Sequence, residues 1–420
     1  MAESRPLFTD LRSFATLLVA AGLTLAGGCA SREGGAAQAP EAAQPVTAKP
    51  TTPAPVPAGG ASTMTPERPK PAPRAMVDGV PVPLTLSSFD SFFAMGYTPE
   101  WVGYPVLPRG RRLKFVDPSQ DIVIAHETGN SITVMDAQTG ANRWTLDMGG
   151  DLEKFVGNIR SAEGDIVCCS QGEVFLLDAA TGVIKDRQRL AVIVNTRPVL
   201  ARNTLVFGAP TGDVLAHDLS TGFKRWAYRL SGSITANPVE VGSGVGVVSE
   251  NGEVIILDPA SGSAMGRGSI FSGLAGAPVA GDGTMFVAAL DQSLWAFDAG
   301  GREPRWRHRT ATPLRDQPVF HEGRVYLSIP DRGMTAFDAA TGKIIWTSKN
   351  IFGTLVAQRN NRLVVWEHGK VASVLDPQRG DVLERLSLPK VDMLIADTFV
   401  DGNLYAVSLR GEIAKYSPRR

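Results

Sequence analysis

Cysteine is scarce: the 420 residues hold three, Cys29, Cys168 and Cys169, too few for a fold built on disulfides. The five histidines, His126, His217, His308, His321 and His368, are scattered, with no pair at a helical metal-binding spacing and no Cys/His cluster; a zinc-type site is not expected. Neither sign of charge is in excess, since Lys+Arg and Asp+Glu both number 42. That balance argues against general affinity for nucleic acid or acidic membrane surfaces. Among 44 glycines there is no Gly-x-Gly-x-x-Gly running from strand into helix and no Gly-Lys-Ser/Thr phosphate loop. A local basic patch, "GREPRWRHRT", sets Arg302, Arg305, Arg307 and Arg309 around Trp306, a spacing that suits the solvated face of an outer strand.

A long apolar run occurs only near the start, where residues 14–28 ("FATLLVAAGLTLAGG") follow Arg5 and Arg12. This is the length of a signal-peptide core and short for a bilayer span, so residues 1–28 are expected to target rather than to span. Small residues lead to Cys29, and Leu25-Ala26-Gly27-Gly28 before it resembles the lipobox of bacterial lipoproteins, with Leu25 one place further from the cysteine than usual. The resemblance implies lipidation of Cys29, and Ala30 after it implies sorting to the outer membrane. An ordinary secretory signal ahead of an incidental cysteine is the alternative. Residues 29–76 are rich in Pro and Ala and lack aromatics, a composition that cannot bury enough to fold. They read as a tether, and about 45 residues of partly polyproline-type chain reach on the order of 100 Å.

From residue 77 to 420 the reading is a single folded body built of repeats. Clear copies of one motif are "MDAQTGANRW" (Asp136, Gly140, Trp144), "LDAATGVIKD" (Asp178, Gly182), "HDLSTGFKRW" (Asp218, Gly222, Trp226) and "FDAATGKIIW" (Asp338, Gly342, Trp346). Weaker copies are "LDPASGSAMG" (Asp258, Gly262), "FDAGGREPRW" (Asp298, Trp306) and "LDPQRGDVLE" (Asp376, Gly380), and "AKYSPRR" sets Tyr416 in the same column. The period of about 40 residues is one four-stranded propeller blade, and eight columns mean eight blades. Within the motif, Asp and Thr can accept from N–H groups just ahead and Gly tolerates positive φ, so it is a turn between third and fourth strands. The tryptophans supply apolar plates for packing between blades. The last unit ends soon after its third strand, so the eighth blade must borrow a fourth. The segment "PEWVGYPVL", residues 99–107, is predicted to supply it, with Trp101 in the Trp column. Upstream, "LTLSSFDSFFAMGY" is apolar enough to pack on the body.

The pattern Asp-Ala-x-Thr-Gly-x-x-x-Trp at this period resembles the pyrroloquinoline-quinone-type (PQQ-like) repeat, and an eight-bladed body behind a lipidated cysteine is most similar to the BamB family. That resemblance implies an all-β eight-bladed propeller that is not an enzyme and holds no cofactor. It further implies an anchor by lipid alone at the periplasmic face of the outer membrane. The partners implied are envelope proteins, components of outer-membrane β-barrel assembly among them, and not nucleic acid. Two alternatives stay open: an extracytoplasmic propeller binding a small ligand or polysaccharide, and a quinone-dependent dehydrogenase. The latter would use Cys168-Cys169, since some such enzymes carry a disulfide between adjacent cysteines against the quinone. Aligned on the Gly before the third strand, however, Cys168 shares a column with Gly208, Val248, Val365 and Val407, and Cys169 with Ala209, Ser249, Trp366 and Ser408. Cysteine there reads as a small hydrophobe, and adjacent side chains in a strand point to opposite faces.

Overall fold

The computed structural model describes residues 75–77, 80–82, 89–149 and 154–419. The expected signal segment, Cys29 and nearly all of the tether lie outside the described residues. Among the described residues the strands form eight four-stranded antiparallel sheets and one two-stranded hairpin. Blades 1 to 7 comprise residues 113–147, 155–189, 199–229, 239–269, 279–309, 319–348 and 353–387, each a meander from inner strand to outer strand. In blade 8, residues 393–418 give three strands and Tyr97–Gly103 adds the outermost, pairing antiparallel with Glu412–Pro418. The expected closing strand is therefore present, two residues earlier than its predicted start. It stops at Gly103 because the chain turns away through Pro105 and Pro108, which cannot donate to a ladder.

The second and third strands of the blades are consecutive apolar runs, as in Arg324–Ile329 and Gly333–Asp338, and nearly every residue in them is buried. Both faces of such strands are covered because each sheet packs between two neighbours. The outer strands alternate instead, Pro304–Arg309 having Arg305, Arg307 and Arg309 exposed. Eight hydrophobic clusters fill the eight blade interfaces. The ring-closing pair of these joins Val364 and Ala372 of blade 7 to Leu404 of blade 8, and Tyr405 and Val407 of blade 8 to Val123 and Met135 of blade 1.

Closure is reinforced by the apolar segment before the closing strand. Its helix, Phe89–Ala94, buries Phe92 completely, and the Phe92 ring stacks on Tyr416 with centroids 3.5 Å apart. Arg359, almost wholly buried on the inner strand of blade 7, ties three chain segments together. It donates to Gly96 O at 3.4 Å and to Arg419 O, and pairs with Asp401 at 2.7 Å.

Candidate interaction surface

The motif residues gather at the blade interfaces. In the first copy, Asp136 Oδ1 accepts from Gln138 N, Thr139 N and Thr139 Oγ1 at 2.9, 2.9 and 3.0 Å, and Gly140, at φ 70°, donates to Asp136 O at 2.8 Å. Asp178, Asp218 and Asp338 repeat the turn, and Ser261 replaces threonine beside Asp258. Asp376 receives only backbone donors, from Gln378 and Arg379. Bonds from the Thr181 hydroxyl and N–H hold the Asp178 carboxyl down to about 2, well below the usual 3.8. A carboxylate so placed is a fixed acceptor for its own turn, not an acid for catalysis.

Each tryptophan of the repeat column reaches across to the turn of the following blade. Trp101, Trp144, Trp226, Trp306 and Trp346 donate Nε1–H to the carbonyls of Ala137, Ala179, Pro259, Ala339 and Pro377 at 2.9–3.0 Å. Their rings lie so close to Gly140, Gly182, Gly262, Gly342 and Gly380 that a Cβ on any of these would come within 2.7 Å of the ring. The exceptions are paired with matching changes next door. Gln188 of blade 2 donates to Leu219 O at 2.8 Å and lies on Gly222. In blade 4, Gly266 takes the Trp place, blade 5 lacks the Thr-Gly turn around Asp298, and the two backbones meet directly, Arg267 N to Gly301 O at 3.0 Å. Blade 7 has Glu384 there, facing blade 8, whose outer strand arrives from elsewhere in the chain and has no such turn.

Cys168 and Cys169 are free, fully buried and on opposite faces of the second strand of blade 2. Cys168 packs with Ile124, Phe155 and Phe175 toward blade 1, and Cys169 with Val194, Leu205 and Phe207 toward blade 3. Burial pushes both thiols upward, so they are protonated. The glycine-based alignment of these positions is off by one. Cys169 pairs with Val174 but Gly208 pairs with Val214, because the turn of blade 2 is one residue shorter. The partners of Cys168 and Cys169 in blade 3 are thus Phe207 and Gly208. The cysteines lie away from the axis, and the described residues contain no group of three His, Cys, Asp or Glu able to hold a metal ion. A quinone with calcium is not matched by this donor set.

At the axis, a cavity of about 300 Å³ is bordered by the inner strands of blades 1, 2 and 8. Its polar groups bind one another. Arg197 pairs with Asp117 at 2.8 Å and donates to Asn158 O at 2.5 Å, while Asn158 donates to Asp117 at 3.2 Å. His126 donates from Nδ1 to Asn158 Oδ1 at 3.3 Å, and burial lowers it to about 4, so it is neutral. This network fastens blades 1, 2 and 3 together at the centre.

Alternating strand direction puts the Asp turns at one end of the propeller, and the second-to-third-strand turns with the inter-blade connections at the other. At this second end, two successive connections, 230–238 and 270–278, contain no charged residue, and the one before them, 190–198, has only Arg197, which is engaged in the axial network. Two large apolar side chains project from them, Ile193 at 58% and Phe271 at 76% exposure. Phe271 is held in place: its N–H donates to Asp291 at 3.1 Å, and Trp295 Nε1 donates to the same carboxylate at 3.0 Å. The Arg307 guanidinium lies over both rings, 5.1 Å from Phe271 and 4.4 Å from Trp295, and is itself fixed by Ser293. A fixed exposed aromatic beside arginine and tryptophan is the composition of an interface hot spot. Motif reading did not single out these residues, Phe271 and Ile193 being absent from the repeat; the charge-poor run of connections was the available signal.

An eight-bladed ring whose blades are interlocked by recurring Asp-x-x-Thr-Gly turns and tryptophans defines a PQQ-like repeat propeller. The matching family is described as outer membrane protein assembly factor BamB, and it covers residues 113–263 and 250–420. The chain belongs to that family. BamB from Moraxella catarrhalis is 20% identical, aligning over 76% of this chain and 97% of its own, with TM-score 0.61. The computationally designed Ika8 protein aligns over 75% of this chain and 100% of its own, at 16% identity and TM-score 0.62. The C-terminal WD40 domain of Sif2 aligns over 76% and 98%, at 10% identity and TM-score 0.60. Identities this low speak to the fold alone. No curated protein matches the sequence.

Proposed function

We propose that the protein is a non-catalytic scaffold, tethered by lipid on Cys29 to the periplasmic face of the outer membrane, that binds proteins during envelope assembly. Family membership supports the class, and the signal-like run before Cys29 supports the location. The observation that carries the binding role is the charge-poor run of connections at one end of the ring, where Phe271 is exposed yet fixed by Asp291 and Arg307. A side chain already ordered before contact loses little entropy on docking. The tether raises the local concentration of the disc near membrane-bound partners.

The test is co-purification of barrel-assembly components from envelope membranes with the tagged full-length protein, its Phe271→Ala and Ile193→Asp variants, and Cys29→Ala. Recovery by the wild type, with apparent affinity reduced roughly tenfold or more by each of the first two changes, is expected. Release of Cys29→Ala from the membrane fraction is expected as well. Absence of any assembly component from the wild-type eluate, or indifference to Phe271 and Ile193, would overturn the binding role; membrane retention of Cys29→Ala would overturn the tether.

A further inference from the structure

The loop end of the propeller is uneven in charge. On blades 2 to 5 its acidic side chains are engaged locally: Glu173 pairs with Arg187 at 2.6 Å and Asp213 with Arg229 at 2.8 Å, while Glu253 accepts from Ser231 N and Asp291 from Trp295. Across the ring, between blades 7 and 8, a cavity of about 510 Å³ is lined by Tyr104, Lys370, Lys390, Asp392, Arg410 and Glu412, among others. Lys370 and Asp392 neutralise each other at 2.6 Å. Lys390 and Arg410 have no ion pair with a described residue. The connection that follows the closing strand brings more positive charge to the same place. Leu113 N donates to Leu409 O at 3.0 Å and Leu107 lies against Gly411, so exposed Arg109 and Arg112 sit on the segment beside the Arg410 turn.

A further feature narrows the ligand. Exposed Tyr104 and Val106, at 48% and 51%, offer apolar surface next to the charges. A lipid phosphate at a bilayer surface would satisfy the cations but holds its acyl chains away in the membrane and leaves that apolar surface uncovered. A peptide bearing acidic side chains supplies carboxylates and apolar neighbours together.

We propose that this cavity is a second docking site, specific for an acidic segment of a partner protein. Carboxylates of that segment meet Lys390 and Arg410, and an adjoining apolar side chain lies on Tyr104 and Val106. The site stands on its own geometry and does not depend on the Phe271 sector.

The probes are a short fluorescent peptide alternating Glu and Leu, its Gln–Leu counterpart, and vesicles containing anionic phospholipid, titrated against the full-length protein in mild detergent or, for the vesicles, reconstituted in neutral lipid. Binding of the Glu–Leu peptide, weakening with salt and by at least about tenfold in Lys390→Glu/Arg410→Glu, is expected. The same affinity should persist in Phe271→Ala and in Arg302→Glu, which reverses one exposed charge elsewhere. Equal binding of the Gln–Leu peptide, an unchanged double variant, or capture of anionic vesicles in place of the peptide would each overturn the proposal.

Discussion

Adjacent cysteines raise redox chemistry first, and the geometry answers them one at a time. Cys168 and Cys169 face different blade interfaces, so a bond between them would require the strand to twist out of two packed clusters. Residues without charge are what those buried positions need, Phe207 and Gly208 filling them in blade 3. Thiol counting with a water-soluble reagent is therefore expected to find neither cysteine in the native protein and both on denaturation. Labelling of either in the native state, or a shortfall of two thiols after denaturation without reductant, would contradict this placement.

At the scale of the blade, the Asp-x-x-Thr-Gly turn and the tryptophan form one interlocking unit split between neighbours. Gly182 shows the dependence: its φ is 75°, and a Cβ would come 2.6 Å from the Trp144 ring. Gly182→Ala is expected to destabilise the fold by about 2 kcal/mol or more, through backbone strain and displacement of the indole. Gly300→Ala meets nothing within 4 Å and is expected to stay within about 0.5 kcal/mol of the parent. Denaturant unfolding of the two variants side by side checks the difference; equal midpoints would refute the interlock.

This repeating unit is why so much of the fold was legible in the sequence. A turn that needs Asp, a hydroxyl and a positive-φ Gly in fixed order leaves a periodic trace, and the missing last strand pointed to Trp101. Gln188 was not legible as a stand-in, because it lies two places beyond the position where the period puts Trp. Nor was the one-residue slip at Cys168, since a turn can shorten without losing its glycine. The docking surfaces left least trace. Phe271, Lys390 and Arg410 come together through connections that have no common motif, and only folding assembles them.

For the whole molecule, closure by the strand Tyr97–Gly103 makes the ring rigid and leaves its loop end as a continuous, fixed platform. One sector of that platform has its charges paired locally and carries Phe271; the opposite sector carries an excess of positive charge. A scaffold with two chemically distinct sectors can hold two segments of a partner, or two partners, in a set orientation.

The most direct test of the binding role is photo-crosslinking in intact envelopes with a photoreactive residue at position 271, compared with position 302 at the other end of the ring. The account predicts a discrete adduct with an outer-membrane assembly component from position 271, lost when Ile193→Asp is added and absent from position 302. The same adducts from both positions, or none from 271, would contradict it.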